Sequence, residues 1–238
     1  MKLLLALLLL AGELGAACAA GSISFWLAPG QTDVTDPCGG YTASKVGTPA
    51  SSTAYCSGNT MYGPYSGSGS RYDAPAGFKT AWETAAPTSS IEYYLYLTST
   101  ATDSITFRWT DAAAVWEHHL TAATPAAIEY RRFAGGWSGV SSGAILSTGV
   151  CYLISSTSNG TTMKIYVDNV EKASSAITAP SGTVTEFSFG GEDGGACLNG
   201  GLIYGFRTSN IVRTSFPTVD PAFEDDDPCS NQVPGCVE

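Results

Sequence analysis

The chain has 238 residues and a formal net charge of −10, from 11 Lys and Arg against 21 Asp and Glu. Such a charge repels phosphate backbones and anionic lipid, which argues against nucleic acid as a partner. Charged residues are only 13% of the chain while hydrophobic residues reach 44%, which excludes a disordered polymer and points to a packed domain whose surface is made polar by hydroxyls.

The first segment reads as a leader. Met1-Lys2 is a short positive start, Leu3 to Ala11 is apolar, and Gly15-Ala16-Ala17-Cys18-Ala19-Ala20 is a small-residue stretch. That layout predicts a secretory signal peptide over residues 1–19, with Ala17-Cys18-Ala19 as the cleavage pattern. A buried apolar helix is one alternative. A lipid on Cys18 is another, although the bulky residue of the loose lipobox Leu14-Gly15-Ala16-Ala17 sits one place too far back. The apolar run is shorter than the ~20 residues that a membrane-spanning helix needs, and no later stretch replaces it, so no transmembrane segment is expected. Cleavage would remove Lys2 and Glu13, one charge of each sign, and leave the charge at −10.

Residues 20–220 are expected to form one β-sandwich. No stretch shows sustained helical periodicity. Ser22 to Leu27 is the first expected strand. Gln31 to Gly77, dense in Gly, Ser, Tyr and Pro, reads as long surface loops. Ile91 to Leu97, Ser104 to Trp109, Ile128 to Phe133, Val150 to Ser155, Met163 to Val167, Val184 to Phe189 and Leu202 to Arg207 complete the strands, separated by turn residues at sandwich-like spacing. Asn159-Gly160 is expected to be a type I′ turn, and Asp168-Asn169 a less favourable one. Residues 221–238 read as an acidic tail containing Cys229 and Cys236.

Loss of Cys18 with the leader would leave Cys38, Cys56, Cys151, Cys197, Cys229 and Cys236, an even set that suits an oxidised framework. Proximity in sequence and the hairpin reading suggest Cys38–Cys56, Cys151–Cys197 and Cys229–Cys236. No C-x-x-C spacing supports a zinc site.

A family resemblance rests on several of these pieces. Met163-Lys164-Ile165-Tyr166-Val167-Asp168-Asn169-Val170 resembles the hairpin of laminin-G-like and concanavalin A-like jelly-roll domains. Phe187-Ser188-Phe189-Gly190-Gly191 is similar to a later strand of those domains, and Gly201 to Arg207 to their closing strand. Ile23-Ser24-Phe25-Trp26-Leu27 is similar to an early one. The resemblance spans most of Ser22 to Phe216, with a poorly matching middle. It implies two facing antiparallel sheets, a jelly-roll sandwich, with sugar, protein or calcium sites at loop edges. Two departures stand out. Val150-Cys151-Tyr152 occupies the place of the family's aromatic–histidine pair, and Asn169 stands where Gly is usual.

The sequence carries little recognisable catalytic chemistry. Retaining glucanases of this fold class carry carboxylates at alternating positions of one strand, so that nucleophile and acid/base share a face. That run is absent. Glu192-Asp193 is adjacent in sequence and reads as a solvated turn. Trp116-Glu117-His118-His119 lacks the H-E-x-x-H spacing; on a strand, Glu117 and His119 would share a face, but no nucleophile is placed beside them. Glu224-Asp225-Asp226-Asp227 reads as a solvated tail, or else Asp225, Asp226 and Asp227 are calcium ligands. Aromatic side chains in loops remain as ligand-binding candidates: Trp137 within Gly135-Gly136-Trp137-Ser138-Gly139, and Tyr62, Tyr65 and Tyr72 in the other Gly-rich stretch. Trp137 is either exposed or a plug at one end of the sandwich, while Trp26 and Trp109 belong to the core.

The expected protein is therefore a secreted, all-β, non-catalytic recognition domain for glycan or a protein surface, with no cofactor other than calcium to consider. A structural or adhesive component of an appendage, envelope or virion is the alternative, and a glycan-cleaving enzyme a more distant one.

Overall fold

The computed structural model describes residues 41–47, 51–52, 56, 61–63, 69–99, 103–193, 195–214 and 216. The leader, the first expected strand with Trp26, and the tail lie outside them.

Among the described residues the chain order is β1 (Ser44–Val46), β2 (Ser51–Ser52), β3 (Met61–Tyr62), β4 (Arg71–Asp73), α1 (Ala76–Ala85), β5 (Thr88–Leu97), β6 (Ser104–Thr110), β7 (Val115–Leu120), β8 (Ile128–Phe133), β9 (Trp137–Ser141), β10 (Cys151–Asn159), β11 (Thr162–Val167), β12 (Val170–Ala176), β13 (Glu186–Phe189) and β14 (Gly201–Ser209). The first sheet has the order β1-β4-β13-β6-β7-β8-β9, and the second β12-β11-β10-β5-β14-β3-β2. All pairings are antiparallel. The fold is the two-sheet antiparallel sandwich expected from the strand pattern.

Alternation along each strand builds the core. On β5, Ile91, Tyr93, Leu95 and Leu97 point between the sheets and meet Phe107, Trp109 and Trp116 from the first sheet. Trp109 and Trp116 stack at 5.2 Å, the cross-strand pair that their register predicts. The other face of β5 carries Tyr94, which joins Met61, Leu153, Tyr166, Leu202 and Phe216 in a second apolar cluster outside the sandwich.

Four expectations are corrected. A helix exists: α1 buries Phe78, Trp82 and Ala85, a spacing that keeps all three on one face. Ten residues with much alanine give too little apolar contrast to reveal that period. Trp82 meets Trp109 edge to face at 6.2 Å, and Phe78 meets Phe187 at 4.7 Å. The stretch from Gln31 to Gly77 is not loop throughout, since β1 to β4 extend both sheets.

Of the two turns one holds as expected and one is corrected. Asp168 and Asn169 both adopt positive φ, 50° and 63°, between paired Val167 and Val170, which makes this the type I′ turn. At the other hairpin only Gly160 has positive φ, 88°, as a II′ turn with glycine first requires.

The disulfide pairing also differs. Cys56 bonds Cys151, 95 residues away in sequence, so neither Cys38–Cys56 nor Cys151–Cys197 forms. Direction decides this. Cys151 shares a strand face with Leu153, and Cys56 packs on Leu153's outer cluster, whereas Cys197 packs against the inter-sheet core. Cys38, Cys229 and Cys236 lie outside the described residues.

Candidate functional site

The outward face of the first sheet gathers the polar side chains that strand alternation excludes from the core. Along β8, Ile128 and Tyr130 point inward, so Glu129, Arg131 and Phe133 point outward. Register then sets a row across the sheet: Asp73 beside Ser188, Arg108, Glu117, Arg131 and finally Gly139. Opposite charges occupy neighbouring places, the favourable cross-strand arrangement. Arg131 Nε donates to Glu117 Oε1 at 2.6 Å, and Arg108 Nη1 approaches Glu117 Oε2 at 3.9 Å. Arg108 also pairs with Glu186 at 3.1 Å and with Glu192.

The row ends on a residue without a side chain. A Cβ at Gly139 would lie 2.4 Å from Tyr130 O and 2.7 Å from Arg131 Cα, so this position on edge strand β9 requires glycine. Into the space above Arg131 comes Trp137, whose ring centroid is 4.0 Å from the guanidinium carbon. Trp137 also meets Phe133, its register partner, at 5.1 Å. The indole is 50% exposed and Phe133 40%. Together with Glu129, Ser138, Val140 and Ser141, Trp137 and Arg131 line a pocket of about 240 Å³.

This pocket combines an apolar plane with hydrogen-bonding groups held in place. Arg131 is fixed from below by Glu117 and flanked by Glu129 Oε2 at 3.5 Å. A planar donor, a carboxylate and the Ser141 hydroxyl beside an exposed ring are the elements of a site that stacks one face of a ligand and bonds its polar rim.

The other candidates separate. Tyr72 is buried and stacks on Phe189 at 5.2 Å, a correction to its reading as a loop ligand: its strand, β4, turns it toward the core. Tyr62 falls on β3 beside Ile203, on the second sheet, away from Trp137. Tyr65, Asp225, Asp226 and Asp227 lie outside the described residues. Glu192 and Asp193 do not form a purely solvated turn. Glu192 pairs with Arg108 and accepts Ala196 N–H at 3.0 Å, and Asp193 reaches Arg71 at 3.1 Å. Among the described residues no group of three metal-binding side chains gathers.

Glu117 and His119 do share the outward face, with His119 lying 3.4 Å from Glu129. His118 points the other way, into the core. Its Nδ1 lies 2.9 Å from Tyr93 Oη and its Nε2 2.7 Å from Ser156 Oγ. Burial pushes its pKa down to about 3 and raises that of Tyr93, so a neutral ring joins the two sheets.

Trp137 is legible in the sequence through its glycine neighbours, whereas Arg131, Glu129 and Phe133 are not singled out by composition or motif. Their signal was the alternation of Ile128-Glu129-Tyr130-Arg131, which names an outward face as clearly as an inward one.

No protein-family model matches the chain, and no curated protein matches it in sequence. Solved structures do share its fold. Domain 4 of AbnA, a GH43 extracellular arabinanase from Geobacillus stearothermophilus determined in complex with arabinotriose, superposes with a TM-score of 0.54 at 16% identity, over 79% of this chain and 87% of that one. The receptor binding domain of botulinum neurotoxin D gives 0.61 at 15% identity, over 81% of this chain and 50% of that one. The binding domain of Paraclostridial Mosquitocidal Protein 1 gives 0.61 at 10% identity, over 79% and 49%. This chain thus spans about half the length of the two toxin domains. At these identities the likeness is one of fold, a β-sandwich that occurs in carbohydrate- and receptor-binding domains. Among the described residues no helix is long and apolar enough to cross a membrane.

Proposed function

We propose that this chain is an exported, non-catalytic recognition domain that binds glycan at the Trp137 edge of its first sheet. The observation that carries this reading is the half-exposed indole set over Arg131, with Glu129, Ser138 and Ser141 around it. A sugar ring has an apolar face of C–H groups and a rim of hydroxyls. The indole suits the first, and the guanidinium, the Glu129 carboxylate and the Ser141 hydroxyl suit the second. The arabinotriose complex of the structurally similar arabinanase domain supports a sugar ligand for this type of sandwich.

Two further features support the reading. The Cys56–Cys151 bond suits an oxidising compartment, as does the expected leader. The best-buried carboxylate of the face, Glu117, has its oxygens directed at Arg131 and Arg108, which suits a positioning role better than proton transfer to a ligand.

The test is a glycan array followed by titration of the best ligand. Trp137→Ala should weaken binding several-fold, since stacking contributes roughly 0.5–1.5 kcal/mol beyond area burial. Its melting temperature should remain close to that of the parent. A large drop in melting temperature, or unchanged affinity, would remove Trp137 from the site. An array without signal, paired with saturable binding to a protein surface, would shift the reading to an adhesive role.

A further inference from the structure

The β10–β11 hairpin carries a feature that ligand recognition does not use. Asn159-Gly160-Thr161 is the sole Asn-x-Ser/Thr triplet in the sequence. Asn59, Asn169, Asn199, Asn210 and Asn231 are each followed two places later by another residue type. Asn159 and Thr161 are both exposed, at the tip where β10 returns as β11. We propose that Asn159 is an N-glycosylation site, modified when the chain passes through a secretory route that carries an oligosaccharide transferase.

Geometry supports this beyond the triplet itself. Three donors converge on one side-chain atom of Asn159: Thr161 N–H at 3.1 Å, Thr161 Oγ1–H at 3.1 Å and Thr162 N–H at 2.8 Å. An atom that accepts three hydrogen bonds is the amide oxygen, so the orientation of the carboxamide is fixed. The nitrogen, Nδ2, is then the atom without an acceptor among the described residues. The hydroxyl that defines the triplet is already turned toward the acceptor amide. Gly160 supplies the positive φ that closes the turn, and a Cβ there would meet nothing nearer than Pro87 O at 3.6 Å. Asn159 itself is exposed, so its side chain has room for a bulky substituent. A glycan there would stand at the end of the second sheet where Thr162 of β11 pairs with Ala176 of β12.

In the chemical step, Nδ2 attacks the anomeric carbon of an oligosaccharide carried on a lipid pyrophosphate. The N–C bond forms as the C–O bond to pyrophosphate breaks. The lipid pyrophosphate leaves with the bonding pair, and the nitrogen gives up one proton. Nothing is oxidised or reduced.

This inference rests on the export part of the proposed function and not on ligand binding. The full chain, with its own leader, is expressed in a eukaryotic secretory host, and the peptide containing Asn159 is examined by mass spectrometry with and without peptide-N-glycosidase treatment. The expected result is a glycan on Asn159, with enzymatic release converting the asparagine to aspartate. The gel-mobility shift should vanish in Thr161→Ala and Asn159→Gln and persist in Thr161→Ser. The two loss variants change only exposed side chains, and near-parental melting temperatures would show that folding is intact. An unmodified Asn159 in secreted protein with Cys56 and Cys151 bonded overturns the site and leaves export standing. An unmodified Asn159 in retained protein with both thiols reduced overturns the site and the export reading together.

Discussion

The two outer faces of the sandwich answer the same problem in opposite ways. Each holds a buried glutamate between two arginines. On the second sheet Glu92 pairs with Arg207 at 2.6 Å and with Arg213 at 3.3 Å, and those arginines are 3% and 12% exposed. On the first sheet Glu117 lies between Arg131 and Arg108, which are 22% and 21% exposed. The second sheet's outer face is roofed by apolar side chains and by the segment ending at Phe216. The first sheet's outer face leaves its arginines partly open and sets an indole beside one of them. A covered ion pair fixes structure; a partly open one, supported from below, leaves donors ready for a ligand.

The largest effect should come from the covered pair. Glu92→Gln leaves Arg207 buried without its counter-charge, and denaturant unfolding should show a loss of about 3–5 kcal/mol. Glu117→Gln should cost less, about 1–2 kcal/mol, because water reaches both of its arginines and screens the loss. It should also weaken the glycan binding proposed at Trp137, since Arg131 loses its support. Equal stability losses in the two variants would erase the distinction between the faces.

The next prediction concerns the core between them. His118 has a folded pKa near 3 and an unfolded value near 6.5, so only the unfolded chain takes up its proton in that window. Its contribution is complete above pH 6.5 and is lost as pH falls toward 3, with a slope approaching 1.4 kcal/mol per pH unit. Stability of the parent and of His118→Asn, measured across pH 4 to 7, should diverge in slope. Parallel curves would show that another group governs acid sensitivity.

A smaller effect belongs to Asn169. Its side chain accepts from Phe216 N–H at 2.7 Å and donates to Phe216 C=O. The resemblance expects glycine there, and glycine would relieve the positive φ. Asn169→Gly should nevertheless destabilise by about 1 kcal/mol, because the loss of two hydrogen bonds outweighs the relief of φ strain. A stabilised variant would mean that the clasp contributes nothing. Smallest in stability and largest in binding is Trp137→Ala, whose contrast with the core tryptophans Trp82, Trp109 and Trp116 would sharpen the division between faces.

Period-two alternation made the sandwich legible: Ser104 to Trp109 and Ile128 to Phe133 fall within strands as read. Val115 to Leu120 is also a strand, yet its Trp-Glu-His-His core invites a search for chemistry and conceals a plain inward–outward pattern of Trp116, His118 and Leu120 against Glu117 and His119. Turn composition named both hairpins and the left-handed pair at Asp168-Asn169, but not the type of the Asn159-Gly160 turn, because the backbone around Asn159 is set by its own side-chain oxygen and not by a left-handed φ. Cysteine pairing was beyond reach from spacing, since it depends on which face of β10 Cys151 occupies. The site itself was half legible. Glycines exposed Trp137 to notice, but only register across β7, β8 and β9 brings Arg131 beneath it.

The clasp between Asn169 and Phe216 gives the molecule a front and a back. Phe216 lies against Tyr166 on the outside of the second sheet, while the indole of Trp137 looks out from the first. The two faces are thus kept apart by the full thickness of the sandwich, so whatever seats against Trp137 meets neither Phe216 nor the cluster it closes, as a coin carries a separate stamp on each side.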